Sequence, residues 1–236
     1  MGAPRGYRAA VHGVSSISLT HLPPLPPHHH HHHHHRHRHR HRHRHRHRHH
    51  RIQNRHMWER FENKRVLMLR RQKARRGAGP NEMWLWSGSK TLPAERVYGG
   101  TIGFEFRLCT QGVFGVGSYF AEDARYCDAR DAHVTRRADG TLCKQLLLAR
   151  VLAGHVKAMG KHTDRSLRRP PLVPQNAHRR TQPGVQPTYD SVCGGPFAPL
   201  SRSSSTSAAS TLFTVYDLAQ SYPAFVVTYT DKRVMA

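Results

Sequence analysis

The chain has 236 residues, with 38 Lys and Arg against 14 Asp and Glu, and a formal charge of +24. This length accommodates one ordinary domain and a tail, since domains cluster near about 100–150 residues. No run approaches the roughly 18 apolar residues of a membrane span, and the first residues contain no continuous apolar segment before a cleavage site. We therefore expect an intracellular protein, in the nucleus or the cytoplasm, that is neither secreted nor membrane-bound.

The positive charge is concentrated in the N-terminal part of the chain. Residues 28–50 are eight His followed by alternating Arg and His, whereas residues 81–236 carry a net charge of only +7. Residues 1–50 lack the apolar side chains that offset the entropy of ordering, so they are predicted to be a disordered low-complexity tail. Arginines of this tail could bind nucleic-acid phosphates weakly, and its imidazoles could bind a metal. We favour a repeat with only incidental affinity.

Residues 51–76 have the pattern of an amphipathic entry helix. Ile52, Met57, Phe61 and Met68 recur at close to helical spacing, and a Gly-Ala-Gly-Pro segment ends the pattern at residue 80. A basic helix could lie on nucleic acid, or its apolar face could pack on a core with its charges in solvent. The bulk of Trp58 and Phe61 favours packing.

Beyond the helix, the sequence predicts short strands separated by two long loops. The strand-like runs are 83–86, 112–120, 145–152, 212–216 and 225–229. Residues 155–188 and 194–210 are rich in Pro, Gly, Arg and Ser and are predicted to be loops. These elements indicate an α+β fold with a largely antiparallel sheet, and residues 51–236 are predicted to be one domain.

Few residue patterns point directly to chemistry. Cys109, Cys127, Cys143 and Cys193 form no C-x-x-C pair, so we expect free thiols and no metal site. The glycine run 112–117 is neither a Rossmann fingerprint nor a P-loop. Residue-by-residue reasoning stops at an α+β domain with a basic tail and a glycine-lined cleft.

Several ordered motifs resemble the catalytic domain of the poly(ADP-ribose) polymerase family. The motifs are Arg51–Asn54, Trp58–Phe61, Lys64-Arg65, Asn81-Glu82, Leu85–Ser89, Gly103-Phe104 with Arg107–Cys109, Gly115–Ala121, Tyr189–Val192 and Tyr222-Pro223. The resemblance covers residues 51–236 and is to the smaller, mono-ADP-ribosylating members. It implies an ADP-ribosyltransferase fold, with a split, mostly antiparallel sheet and flanking helices, and NAD as co-substrate without a required metal.

The resemblance also assigns the residues of the site. The three catalytic positions fall on Ser87, Tyr119 and Leu212, and NAD would be held by Ser87, Gly88, Ser89, Arg107, Gly117, Tyr119 and Cys127. Nicotinamide would be gripped by backbone groups of Gly88 and stacked on the ring of Tyr119, whose quadrupole attracts a pyridinium cation.

Three departures from the family pattern bear on activity. Ser87 replaces a His that contacts a ribose hydroxyl, and Leu212 replaces the Glu of chain-elongating members. Cys127 stands where the family has a Ser that binds the carboxamide, and thiols are weak donors. A second stacking Tyr is missing where Arg130 and Asp131 occur; nearby Tyr126 could stack, although we favour a packing role.

Two functions follow from the resemblance. The first is a weak NAD-dependent mono-ADP-ribosyltransferase, which is a pentosyltransferase, acting on acceptor proteins that include itself. The second is an inactive pseudoenzyme that serves as a binding module.

Overall fold

The computed structural model describes residues 48–74, 79–106, 111–174, 186–199 and 208–230, so most of the predicted tail lies outside the described residues. The strands are β1 (Arg48–Arg51), β2 (Glu82–Ser87), β3 (Ser118–Ala121), β4 (His133–Arg136), β5 (Leu142–Leu152), β6 (Val156–Ala158), β7 (Ser191–Phe197), β8 (Ser210–Val215) and β9 (Ser221–Tyr229). The helices are α1 (Arg55–Ala74), α2 (Ala94–Tyr98) and α3 (Ala124–Arg130), with a 3₁₀ turn at Leu218–Gln220.

Nine strands form one mixed sheet in the order β1-β9-β5-β2-β3-β8-β7-β6, with β4 paired to β5. Every strand pair is antiparallel except β6 with β7. The ladder between β2 and β3 has a single paired row, Trp86 with Ala121, so the sheet is narrowest at its centre. The predicted α+β fold with a mostly antiparallel sheet is confirmed.

The sheet begins inside the segment predicted to be tail. Arg48–Arg51 pairs with residues 225–228 of β9, which places the last residues of the Arg/His tract in an edge strand. Ile52 follows directly, is buried, and donates its amide to the carbonyl of Ala224 at 2.8 Å. In the described part of the chain, regular structure therefore includes residues 48–50, which were predicted to be tail.

The entry helix α1 runs over residues 55–74, shorter at its start than the predicted 51–76. Asn54 sets that start, because its side-chain oxygen accepts a hydrogen bond from the Met57 amide at 3.2 Å, as an N-cap does. Met57, Phe61 and Met68 are buried against β9 and the end of β5. The predicted packing face is therefore present, and it uses Met68 rather than its exposed neighbour Leu67.

The core lies on both faces of the sheet in three clusters. The largest packs α2 and Phe104 on β2, β5, β3 and β8, the second surrounds α3, and the third lies under α1. The cluster around α3 contains two candidate site positions, Cys127 and Leu212, and Tyr119 packs against it. The packing of α3 therefore determines the surroundings of the site.

Two sequence predictions about local structure were wrong. Residues 112–117 form turns, and only Ser118–Ala121 of the predicted strand 112–120 is a strand, because left-handed backbone at Gly115 breaks the extended chain. The predicted loops 155–188 and 194–210 contain β6 and the end of β7.

Among the described residues, no helix has the length and apolar character needed to cross a bilayer. Within the same residues, no three His, Cys, Asp or Glu side chains gather in a way that could hold a metal ion.

Candidate active site

The three predicted catalytic positions lie on three adjacent strands at the centre of the sheet. Ser87 ends β2, Tyr119 lies in β3, and Leu212 lies in β8. Ala121 of β3 pairs with Trp86 on one side and with Leu212 on the other, so a single row joins the strands that carry these positions. The fold thus brings together residues separated by up to 125 positions in sequence.

Ser87 is buried and its hydroxyl is already engaged within the protein. The side chain is 8% exposed, and its Oγ donates to the carbonyl oxygen of Tyr119 at 3.2 Å. A serine hydroxyl has one donor, so this bond uses the proton that a ribose hydroxyl or ring oxygen would need. Ser87 can still accept a hydrogen bond through its oxygen.

The hydroxyl of Tyr119 is bound to a turn formed by residues 112–115, named here the glycine turn. It accepts from the amide of Phe114 at 2.8 Å and donates to the carbonyl of Gly115 at 2.9 Å. The Cα of Gly112 lies so close to the ring that an added Cβ would be 2.4 Å from Cζ. Burial raises the pKa of Tyr119, so the phenol stays neutral at physiological pH.

Two further contacts fasten the glycine turn to the sheet and to a neighbouring loop. The hydroxyl of Tyr216 donates to the carbonyl of Phe114 at 2.7 Å, and the amide of Val116 donates to the carbonyl of Leu167 at 2.9 Å. Gly115 adopts φ +77° against the Leu167 carbonyl, where a Cβ would clash at 1.9 Å. Glycine is therefore required at this position for steric as well as conformational reasons.

Gly88 lies beyond the last residue of β2, so its peptide groups fall outside the strand ladder between β2 and β5. The end of α3 covers it, because an added Cβ would lie 2.5 Å from the backbone oxygen of Asp131. Ser89 accepts a hydrogen bond from the Leu92 amide at 3.1 Å. Gly117 packs against Thr214 and the Val215 carbonyl, which leaves no room for a side chain.

Helix α3 places Cys127 in the core beside the site. Its N-cap is Asp123, whose carboxylate accepts from the Arg125 amide at 2.8 Å. Cys127 is 3% exposed, and burial raises the pKa of its thiol far above the ordinary value. The thiol is therefore protonated and unreactive, and it can act only as a weak donor.

The region of the missing second tyrosine is occupied by a charged cluster. Arg130 donates to the hydroxyl of Tyr126 at 3.0 Å and pairs with Asp131 at 3.3 Å. Burial raises the pKa of Asp131, although Arg130 opposes the shift. Tyr126 is 3% exposed, so it packs in the core, as favoured from the sequence.

Leu212 is 5% exposed and packs in the cluster around α3. Its partners across the ladders are Ala121 and Gly194, so the row contains no carboxylate. Arg107, the remaining predicted NAD contact, and Cys109 lie outside the described residues.

The sequence reasoning missed the residues that hold the glycine turn. Tyr216 served only to align the motif around Leu212, and Leu167 lies in a segment predicted to be a loop. A signal was present for Tyr216, since a buried tyrosine normally finds a hydrogen-bond partner. No local pattern marked Leu167, because its backbone makes the contact.

Comparison with known proteins identifies the family. The model of a protein family described as "Poly(ADP-ribose) polymerase catalytic domain" matches residues 32–231 of this chain. The chain belongs to the poly(ADP-ribose) polymerase catalytic-domain family. The motif resemblance to this family is thereby confirmed.

A relative from Dictyostelium discoideum, a "Probable poly [ADP-ribose] polymerase", is 27% identical over 105 residues. The match covers 44% of this chain and 30% of the relative, so this chain spans less than a third of that protein.

The residues present fit NAD in part. Gly88 and the ring of Tyr119 are the predicted nicotinamide contacts, and the peptide groups of Gly88 lie outside the strand ladder between β2 and β5. The glycine turn lies against the Tyr119 ring, and the backbone of Asp131 lies against Gly88. Both contacts reduce the space around the predicted nicotinamide contacts. An NAD molecule bound at these predicted contacts would lie next to the glycine turn and the end of α3.

Proposed function

We propose that this protein is an NAD-dependent ADP-ribosyltransferase that transfers single ADP-ribose units to acceptor proteins, itself included, at a low rate. The observation that carries the proposal is Leu212, a buried apolar side chain at the third catalytic position, flanked by Ala121 and Gly194. No carboxylate there polarises a ribose hydroxyl for chain elongation, so only the first transfer is supported.

In the proposed reaction, the bond between nicotinamide and ribose breaks through an oxocarbenium-like transition state. The protein's part is to orient NAD, with Gly88 holding the carboxamide and Tyr119 stacking on the ring. Ser87 is too short to orient the ribose as His does, and its proton is given to the Tyr119 carbonyl. Misplacement of the reacting carbon costs about 100-fold in rate, which is why we expect low activity.

The test is automodification of the full chain with isotope-labelled NAD, read by mass spectrometry. We expect modified peptides that carry one ADP-ribose each, and the same pattern in a matched Leu212→Met variant. Chains of two or more ADP-ribose units on one site would contradict the single-transfer proposal. Absence of any ADP-ribose transfer would contradict the proposal that the protein is an enzyme.

A second candidate function, an inactive binding module, is supported by a different observation. The hydroxyls of Ser87 and Tyr119 are both satisfied inside the protein, and the glycine turn lies against the tyrosine ring. A nicotinamide analogue discriminates the two candidates. A rise in the melting temperature with the analogue favours the enzyme, whereas an unchanged melting temperature without detectable transfer favours the module.

A further inference from the structure

An open groove of about 640 Å³ lies next to the candidate active site. The three strands that carry the catalytic positions also line it, through Trp86 before Ser87, Thr211 before Leu212, and Glu122 after β3. The other lining residues are Asp123, Ala124, Pro196, Ala209 and Ser210. The groove has no part in the function proposed above.

The groove combines one half-buried aromatic ring with one free carboxylate. Trp86 packs on the cluster around α3 while the rest of its indole lines the groove. Glu122 is exposed, and no described residue donates a hydrogen bond or an ion pair to its carboxylate. The neighbouring carboxylate of Asp123 is already satisfied, because it pairs with Arg125 at 2.5 Å and caps α3.

A tryptophan ring and a glutamate carboxylate also hold an arginine elsewhere in the protein, where α1 packs on the sheet. The guanidinium of Arg150 lies over the ring of Trp58 at 4.8 Å and over Phe61 at 5.3 Å. Its Nε donates to the carboxylate of Glu82. Trp86 and Glu122 supply the same two residue types to one groove, and no arginine is among the described residues that line it.

A guanidinium is the cation that suits both groups. It is planar, so it stacks on an indole, and its fork of N–H donors matches a carboxylate. A lysine ammonium is compact and strongly hydrated, and it gains less from the ring. The apolar lining from Ala124, Pro196 and Ala209 suits the three methylene groups of an arginine side chain.

We propose that the groove binds an arginine side chain of a partner protein, with the guanidinium stacked on Trp86 and paired with Glu122. This binding does not depend on ADP-ribosyltransferase activity. If the proposed function also holds, the groove presents an arginine-bearing partner beside the transfer site.

The test is a fluorine NMR titration of the full chain labelled with 5-fluorotryptophan. The chain contains only three tryptophans, Trp58, Trp84 and Trp86, and a Trp→Phe variant of each assigns the signals. The probes are acetylated and amidated Gly-Arg-Gly and Gly-Lys-Gly peptides, which carry equal charge. NAD is absent, so the result is independent of transferase activity.

We expect the arginine peptide to move the Trp86 signal saturably and to leave the Trp58 and Trp84 signals in place. Glu122→Gln should weaken the affinity about two- to fivefold, because it removes a charge-assisted hydrogen bond at an exposed site. Glu95→Gln, the same change on α2, should leave the affinity unaltered.

Three results would overturn the inference. They are a Trp86 signal that the arginine peptide does not move, equal affinity for the lysine peptide, and equal weakening by Glu122→Gln and Glu95→Gln. Because Glu122 is exposed, its substitution should not unfold the chain, and an unchanged melting temperature checks this.

Discussion

At the scale of single residues, two side chains of the candidate site already form hydrogen bonds within the protein. The Ser87 hydroxyl donates a hydrogen bond to the Tyr119 carbonyl, and the Tyr119 hydroxyl donates one to the carbonyl of Gly115 in the glycine turn. Both bonds are internal, so a bound NAD would compete with them rather than add to them.

Restoring a longer donor at Ser87 should therefore strengthen NAD binding. For Ser87→His we expect the dissociation constant of NAD to fall about two- to tenfold, the equivalent of one hydrogen bond of about 0.5–1.5 kcal/mol. Calorimetry on the full chain measures it. Ser87→Ala, which removes the hydroxyl without adding a donor, is the control and should not tighten binding. Unchanged affinity in a folded Ser87→His chain would show that Ser87 is not the family's histidine position.

The strands that carry the candidate site residues could be predicted from the sequence, but the hydrogen-bond partners of their side chains could not. The motifs around Ser87, Tyr119 and Leu212 predicted a strand at each position, and the structure has β2, β3 and β8 there. The bond from Tyr216 to Phe114 joins residues 102 positions apart, and no local pattern encodes such a distance.

At the scale of elements, the glycine turn is held by hydrogen bonds from three directions. The hydroxyls of Tyr119 and Tyr216 bind Phe114 and Gly115, and the loop carbonyl of Leu167 accepts from Val116. Its opening is therefore controlled by side chains of β3 and of the residue after β8.

Removing one of these bonds should loosen the turn. For Tyr216→Phe we expect amides 112–116 to exchange with deuterium roughly five- to tenfold faster, which corresponds to about 1 kcal/mol of local stability. Hydrogen-exchange mass spectrometry measures the rate. Tyr189→Phe is the control, since that ring contacts His155 and Lys157 away from the turn. Equal exchange in both variants would mean that Tyr216 does not hold the turn.

Element prediction succeeded where apolar runs were long and failed where glycine dominated. The run 145–152 identified most of β5, whose continuous Leu and Val residues are buried. The short β6 has no apolar run, and β7 contains Gly194, Gly195 and Pro196, residues that normally argue against a strand. Pairing with β8 outweighed that preference.

At the scale of the whole molecule, an ion pair links α1 to the turn that enters β9. Lys64 Nζ lies 2.5 Å from the carboxylate of Asp217, which also accepts from the Ala219 amide at 2.8 Å. Burial alone would raise the pKa of Asp217, but these two hydrogen bonds outweigh it, and the pKa is lowered.

The stability contributed by this pair should depend on pH. A lowered carboxyl pKa stabilises the fold above the ordinary value near about 4 and loses that effect as the pH falls through the lowered value. Asp217→Asn should therefore cost at most about 1 kcal/mol at pH 7, because the pair is partly exposed, and less near about pH 2.

Urea unfolding of the unchanged protein and of the Asp217→Asn variant, at pH 7 and near about pH 2, measures the difference in the free energy of unfolding. Lys64→Met and the double variant complete a cycle that isolates the pair from the retained Ala219 bond. An equal cost at both pH values would exclude the ion pair as its source.

Strand β1 has a consequence for how this sequence tolerates change. Its first two residues, Arg48 and His49, end the alternating Arg-His repeat, and His50 and Arg51 break the alternation. Its register on β9 is set by the buried Ile52 and the bond to Ala224. Insertion or loss of whole Arg-His units upstream leaves Arg48–Arg51 in the same pairing, because the units that replace one another are identical. We therefore expect a change in the number of repeat units to leave the pairing of β1 with β9 unaltered.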